Sequence, residues 1–199
     1  MPKLIHAGAL LSCAAIALAV TTASAQDNNA GELSYINCDA GFGVIFPIAP
    51  MTRDIRYTTN TGAMVPARQF YLDRGADRLM VTVATFDYGP LIDEAAIDHA
   101  AATLSARGEV RYKAAGAYDP GFPGRQLNIF PDPDRQLRAS VYMMDHKLYI
   151  IEALAAPGDF EALQFEQSIT LASSMGVDYD QNPPDPLHKL TCRSQYFRR

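Results

Sequence analysis

The stretch from Gln126 to Ala155 constrains the fold more than any other part of the chain. It predicts three consecutive strands, Gln126–Phe130, Leu137–Met144 and Leu148–Ala155. The last strand is apolar on both sides, with Leu148, Ile150 and Leu154 on one side and Tyr149, Ile151, Ala153 and Ala155 on the other. Because a strand of this kind lies inside a sheet that is covered on both faces, we expect a central sheet built around it.

The turn between the last two of these strands, Asp145-His146-Lys147, contains no glycine. Aspartate and histidine tolerate positive φ better than most other non-glycine residues. Asp145-His146 therefore predicts a tight turn that joins two neighbouring strands as a hairpin.

The rest of the chain predicts an alternation of strands with two helices. The further predicted elements are the strand Phe42–Phe46, the segment Met51–Thr59, the hairpin of Val65–Asp73 with Arg78–Asp87, the helix Leu91–Arg107, the strand Glu109–Ala117 and the helix Phe160–Ser173. The first helix has a predicted buried stripe of Ile97, Ala100, Ala101 and Leu104, and Asp159 is the predicted N-cap of the second. This order is typical of the α+β class with an antiparallel sheet.

The first residues have the pattern of an export signal. Met1-Pro2-Lys3 is a short basic start, Ala7–Val20 is an apolar run, and Ala23-Ser24-Ala25 is a small-residue cleavage site. We expect a signal peptide at residues 1–25, a lead-in at 26–40, one domain at 41–174 and a proline-rich tail at 175–199. The alternative is a lipid anchor on Cys13, although the apolar run continues well past that residue.

The net charge limits the class of partner that the chain can bind, and the cysteine content predicts a disulfide. The full chain carries a net charge of −5, which disfavours nucleic acid and anionic membranes as partners. Once the signal is removed, only Cys38 and Cys192 remain. In an oxidising compartment two such cysteines usually pair, so we expect a disulfide that tethers the tail. The other interpretation, a metal or catalytic pair, lacks a second ligand at suitable spacing.

Three sets of motifs resemble the PsbP-like (Mog/PsbP) α-β-α sandwich family, especially its small exported bacterial members. They are Phe42-x-Val44-x-Phe46-Pro47-x-x-Pro50, Gly121-x-Pro123-Gly124-Arg125-x-Leu127, and Leu148-Tyr149-x-Ile151 followed by Phe165-x-x-Ser168-Ile169. The resemblance covers residues 42–173. It implies an antiparallel β-sheet with helices packed on both faces. It also implies an accessory or binding role, because characterised members share no active site.

Residues that could carry chemistry all have simpler structural explanations. Familiar catalytic and phosphate-binding motifs are absent from the sequence. His99 beside Asp98 is a weak candidate for the general base of a hydrolase, and an exposed helical histidine is usually a surface residue. The pair Asp132 and Asp134 suits a calcium ion or a simple turn, and Arg125 suits an anion or a nearby carboxylate.

We therefore expect an exported, non-catalytic accessory protein that engages a protein partner in the periplasm, with no cofactor and no metal site. The alternative is a small-ligand or lipid-binding module. For that function the sequence suggests a cleft between the first helix and the sheet, near Phe86, Tyr88 and Tyr142.

Overall fold

The structure is a computed structural model that describes residues 33–87, 89–90, 92–118, 122–171 and 196–198. These residues form the strands β1 (Leu33–Asn37), β2 (Phe42–Phe46), β3 (Met51–Thr58), β4 (Met64–Arg74), β5 (Asp77–Thr85), β6 (Glu109–Ala117), β7 (Pro123–Asp132), β8 (Arg135–Met144), β9 (Lys147–Ala155), β10 (Thr170–Leu171) and β11 (Tyr196–Arg198). The helices are α1 (Glu94–Ser105) and α2 (Phe160–Gln167).

The strands form two antiparallel sheets. The larger has seven strands in the order β3-β4-β5-β9-β8-β7-β6, and the smaller has four in the order β10-β2-β1-β11. With two helices and mostly antiparallel strands, the described chain belongs to the α+β class, as predicted.

The central stretch has the predicted arrangement. Strands β7, β8 and β9 pair in succession, and β9 also pairs with β5 on its other side. Asp145 and His146 adopt φ values of 50° and 62°, so the glycine-free turn between β8 and β9 has the predicted conformation. β9 thus lies in the middle of the seven-stranded sheet, where apolar side chains are buried on both of its sides.

Two separate clusters of buried side chains contact this sheet. The aromatic cluster contains Tyr35, Phe42, Phe46, Phe70, Tyr142, Tyr149 and Phe165, with aliphatic residues of β5 and β9. The alanine cluster contains Ala67, Ala84, Ala96, Ala100, Ala101 and Ala139, with Ile, Leu, Val and Met side chains. Along β8, Val141 and Met143 belong to the alanine cluster, whereas Tyr142 and Met144 belong to the aromatic cluster. Since successive side chains of a strand point to opposite faces, the two clusters lie on opposite faces of the sheet.

Helix α1 supplies the centre of the alanine cluster. Its buried residues are Ala96, Ile97, Ala100, Ala101 and Leu104, which confirms the predicted stripe and adds one alanine. The helix is shorter than predicted because Asp93 is its N-cap, accepting a hydrogen bond from the backbone N–H of Ala95 at 2.9 Å. Small side chains let α1 lie close to β7, β8 and β9, the strands that it contacts.

Helix α2 also ends earlier than predicted, at Gln167 instead of Ser173. Asp159 caps its start by accepting from the N–H of Ala162 at 2.8 Å. At its end, the Ser168 hydroxyl accepts a hydrogen bond from the N–H of Ile45 in β2 at 2.9 Å. Because this contact joins the helix end to β2, the chain continues as β10, which pairs with β2.

Strand structure extends beyond the predicted domain at both ends. β1 lies within the predicted lead-in and pairs with β2 over its whole length. β11 lies within the predicted tail and pairs with β1, with Tyr196 opposite Tyr35. The proposed signal peptide, Cys13 and Cys192 lie outside the described residues. Within the described residues, no helix is both long enough and apolar enough to cross a membrane.

Candidate functional site

A cleft of about 520 Å³ opens at one end of the seven-stranded sheet, on the face of the aromatic cluster. We call it the Lys147 cleft. Its lining consists of Asn37, Asp39 and Ala40 from the β1–β2 turn, and of Asp54, Ile55, Arg56, Pro66, Ala67, Arg68, Phe70, Val83, Thr85 and Lys147 from the sheet. Ligand-binding clefts of proteins commonly have volumes of about 300–1,000 Å³, so this cleft is large enough to hold a small molecule.

The strand register explains why distant parts of the sequence meet here. Arg56 lies opposite Pro66, and Thr85 lies opposite Lys147, at the same end of strands β3, β4, β5 and β9. Two residues further along each strand, a second row contains Asp54, Arg68, Val83 and Tyr149. Residues two apart in a strand point to the same face, so the two rows, apart from the buried Tyr149, form the floor of the cleft.

The β1–β2 turn forms one wall of the cleft and is held by several hydrogen bonds. The Asn37 side chain accepts from the N–H of Ala40 at 2.9 Å, and Gly41 adopts φ 79°, a conformation that favours glycine. From the sheet, the Lys147 ammonium donates to the carbonyl of Asp39 at 2.7 Å. The Tyr149 hydroxyl donates to the carbonyl of Ala40 at 3.0 Å. The position of this wall relative to the sheet is therefore fixed by side chains of β9.

The charged groups around the cleft differ in their partners. Arg68 and Asp54 form a salt bridge at 2.6 Å; their hydrogen bond lowers the pKa of Asp54 and raises that of Arg68. Arg56 donates instead to the carbonyl of Met64 at 2.6 Å. Burial lowers the pKa of Lys147, although Asp145 and Asp39 act in the opposite direction. Arg56 and Lys147 thus contact neutral carbonyl oxygens, and in the described part of the chain no carboxylate forms a salt bridge with either.

The cleft therefore combines apolar surface with two cationic hydrogen-bond donors and one salt-bridged pair. Phe70 and Val83 belong to the aromatic cluster and line the cleft, although nearly all of their surface is buried. Such a combination suits the binding of a molecule with an apolar body and a polar end. For metal ions, the residues that the structure describes contain no group of three or more His, Cys, Asp or Glu side chains placed to hold one.

The cleft predicted from the sequence is not formed by the residues named for it. Phe86 packs against the alanine cluster, whereas Tyr142 belongs to the aromatic cluster on the opposite face of the sheet. Tyr88 lies outside the described residues. Phe86 and Tyr142 therefore do not line one cleft, because the register of β5, β9 and β8 places their side chains on opposite faces of the sheet.

Each of the two aromatic residues has a different environment. Phe86 lines a second cavity of about 410 Å³, together with the β3–β4 turn and the segment before α1. The Tyr142 ring packs edge-on against Tyr118, with ring centroids 5.6 Å apart, and covers Gly124, where a Cβ would collide with it. Tyr142 is 5% exposed and thus has a packing role.

Arg125 pairs with carboxylates, as one of its two interpretations predicted, whereas His99 is less exposed than predicted. Asp98 accepts a hydrogen bond from Arg125 at 2.8 Å, and Glu94 lies 3.6 Å from the same guanidinium. His99 is half-buried and meets the Tyr57 ring edge-on, with centroids 6.5 Å apart. Arg125 is thus paired with two carboxylates, and Asp98 is a hydrogen-bond partner of Arg125.

The two aspartates proposed for calcium form a turn instead. The side chain of Asp132 accepts a hydrogen bond from the backbone N–H of Asp134 at 3.0 Å. This bond is typical of an aspartate that stabilises a turn by bonding two residues ahead.

The predicted disulfide has one described member, Cys38, which lies in the β1–β2 turn next to Asn37 and Asp39. Cys192 lies outside the described residues, so the bridge stays a prediction. In the smaller sheet Tyr196 lies opposite Tyr35. Tyr196 is four residues after Cys192 in the sequence, and Tyr35 is three residues before Cys38.

The sequence interpretation missed Lys147, Arg56 and Asp39 as residues of one site. Lys147 was assigned only to a hairpin turn, and Asp39 to a lead-in. A signal did exist for Lys147, because it stands at the start of a strand whose interior positions are largely apolar. Arg56 and Lys147 come to the same cleft because β3 pairs with β4, β4 with β5, and β5 with β9. No local pattern in the sequence specifies this order.

Known proteins resemble this chain in structure and not in sequence. No family model matches the chain, and no curated protein matches it. The structure is similar to the solution structure of cyanobacterial PsbP (CyanoP) from Synechocystis sp. PCC 6803, with a TM-score of 0.48 and 17% sequence identity, over 82% of this chain and 99% of that one. The family named by the sequence motifs and the name of this solved structure agree.

Proposed function

We propose that this chain is an exported, non-catalytic accessory protein that binds a protein partner in the periplasm, on an α-β-α sandwich with a helix on each face of the sheet. The observation that supports partner binding is the edge strand β6. It is nine residues long, stands at the end of the seven-stranded sheet, and pairs only with β7 in the described part of the chain.

An edge strand presents unpaired backbone N–H and C=O groups to any extended segment that approaches it. Seven of the nine residues of β6 are exposed. They include Val110 at 39% and Tyr112 at 49% relative exposure, which can supply apolar contacts to a partner. The second half of the strand, Ala114–Ala117, has no charged side chain, so little there opposes pairing with another strand.

The charges near this edge indicate the chemistry of the partner segment. Arg111 forms a salt bridge with Glu109 at 3.1 Å and lies over the Phe130 ring, 3.8 Å from its centroid. Lys113 is exposed on the same strand. Two cations and one acid favour an extended partner segment with alternating apolar and acidic side chains.

Proline substitutions test this proposal. Of two consecutive residues in an edge strand, one points its N–H at the neighbouring strand and the other points it to solvent. We expect one of Ala114→Pro and Ala115→Pro to lower the melting temperature. The other will keep it and abolish recovery of the partner in a pull-down from periplasmic extract. Equal recovery by wild type and by the proline variant that keeps its fold would contradict the proposal.

The second candidate function is small-ligand binding, which the Lys147 cleft specifically favours. Native mass spectrometry of protein purified from the periplasm distinguishes the two functions. A retained small-molecule adduct supports ligand binding, whereas adduct-free protein that recovers a partner through β6 supports the accessory role.

Export and the disulfide belong to the same proposal. The intact mass of the purified protein should correspond to a chain that starts at Gln26 and is two hydrogens lighter than its reduced form. A lipid-modified Cys13 would contradict export as an unanchored protein, and an unchanged mass on reduction would contradict the Cys38–Cys192 bridge.

A further inference from the structure

One row of residues in the Lys147 cleft is cationic, in contrast to the chain as a whole. The chain as a whole is acidic, with a net charge of −5. Yet the row that crosses β3, β4, β5 and β9 at the cleft has a cation at each end, Arg56 and Lys147, and no acid between them. At the usual strand spacing their Cα atoms are about 14 Å apart, a span that two long side chains can close from both ends.

Both cations are held by groups that do not neutralise them. Lys147 donates to a backbone carbonyl at 2.7 Å, and Arg56 donates to another at 2.6 Å. By contrast, Arg68 in the neighbouring row is paired with Asp54. Within the described residues neither cation forms a salt bridge, although Asp39 and Asp145 act electrostatically on Lys147. A half-buried ammonium gains more from a hydrogen-bonded anion than an exposed one does, because water screens it less.

The apolar part of the cleft starts within this row and continues along the strands, beside the salt bridge of Asp54 with Arg68. Pro66 and Val83 line it, with Phe70, which is only 1% exposed. A ligand that satisfies the whole surface would place an anionic end at the cations and an apolar body on this floor. A fully polar anion would leave the apolar part of the cleft in contact with water, and a neutral apolar molecule would not form a hydrogen-bonded ion pair with either cation.

We propose that the Lys147 cleft binds an amphipathic organic carboxylate, whose anionic group contacts Lys147 and Arg56 while its hydrocarbon part lies on Phe70, Val83 and Pro66. This inference rests on the small-ligand candidate function and specifies the ligand class. It is independent of partner binding at β6, which lies at the opposite edge of the sheet.

Calorimetric titration of the full chain with octanoate tests this inference, with octanamide as the matched neutral ligand. Lys147→Met and Arg56→Met each remove one cation from the cleft, and Lys113→Met removes an exposed lysine from β6, outside it. We expect octanoate to bind wild type, with Kd raised about tenfold or more by either cleft substitution, as is typical of losing a hydrogen bond to a charged group. Lys113→Met should change Kd less than twofold, and octanamide should bind at least tenfold more weakly.

Three results would overturn the inference: no octanoate binding at millimolar concentration, unchanged affinity in folded Lys147→Met and Arg56→Met variants, or equal affinity for octanoate and octanamide. Arg56 is exposed, so its substitution keeps the test decisive if Lys147→Met fails to fold. Equal binding of both ligands that still shifts the NMR signals of Val83 and Thr85 would leave the small-ligand function standing while removing its preference for anions.

Discussion

The two faces of the seven-stranded sheet are covered in different ways. On one face, α1 contributes five buried residues, of which three are alanines. On the other, large rings fill the space: Phe42 and Phe46 from β2 meet Phe70 from β4 and Phe165 from α2, with the Phe42 and Phe70 centroids 5.0 Å apart and those of Phe46 and Phe165 4.9 Å apart.

This difference between the two faces determines where an open binding site can form. Small side chains let a helix approach the sheet closely and exclude solvent along its length. Aromatic rings instead hold a second layer farther from the sheet, and that layer contains α2 and the short strands joined by the β1–β2 turn. Where the layer ends, the sheet surface continues, and the Lys147 cleft lies on that uncovered part.

The largest effect should come from removing an aromatic ring between the layers. Phe46 is 0% exposed, and we expect Phe46→Ala to lower the free energy of unfolding by about 3–5 kcal/mol, because a large cavity remains. Phe160→Ala is the control, since Phe160 is 72% exposed; it should change stability by about 0.5 kcal/mol or less. Urea denaturation measures both, and equal losses would contradict the role of the aromatic cluster.

The opposite change tests the close packing of α1. Ala100 is 1% exposed, so Ala100→Leu should destabilise the protein by about 1–3 kcal/mol through overpacking. Ala102→Leu places the same side chain on the exposed side of the helix and should be nearly neutral. If both variants unfold at the same urea concentration, α1 does not lie close to the sheet as described.

The two helix caps offer a smaller, paired test. Asp93 and Asp159 each accept one backbone N–H, at 2.9 Å and 2.8 Å, so Asp93→Ala and Asp159→Ala should each cost about 1 kcal/mol. Thermal unfolding of the two variants measures the costs side by side. A cost near zero for either would mean that the rest of the structure holds that helix without its cap.

The smallest effect concerns Tyr57, which reaches from β3 towards α1. Its buried hydroxyl has no hydrogen-bond partner in the described part of the chain, and burial raises its pKa to about 12. Tyr57→Phe should therefore leave stability at neutral pH within about 0.5 kcal/mol.

Measuring stability at alkaline pH tests the burial of the Tyr57 hydroxyl more directly. The unfolded chain loses the phenol proton near pH 10, as free tyrosine does, before the folded chain does. Tyr57 therefore contributes stability that is present below about pH 10 and is lost as the pH rises towards 12. Denaturation at several pH values should show a steeper decline in wild type than in Tyr57→Phe, and identical slopes would contradict burial of this hydroxyl.

Much of the sheet could be predicted because its signals are local. Runs of residues that are largely apolar on both sides placed β5, β8 and β9 within a residue or two, and the buried stripe of α1 follows from helical spacing. The length of α2 could not be predicted, because its end depends on a contact between Ser168 and Ile45, 123 residues apart in sequence. β1 was missed since its short, mixed sequence becomes a strand only by pairing with β2.

The site was harder to predict than the fold. Phe86 and Tyr142 were grouped by their aromatic character, but the sequence does not state on which face of the sheet each residue lies. The residues of the Lys147 cleft come from five separate segments, and only the register of four strands brings them together.

The most direct test of the account is an NMR titration of the exported protein with octanoate, comparing backbone amide signals on the two faces of the sheet. We predict shifts at Ala40, Val83 and Thr85 in the cleft, and none at Ala100 and Leu104 on the face that α1 covers. Shifts centred on α1, or no shifts on either face, would contradict the claim that the aromatic face carries the open binding site and the alanine face is closed.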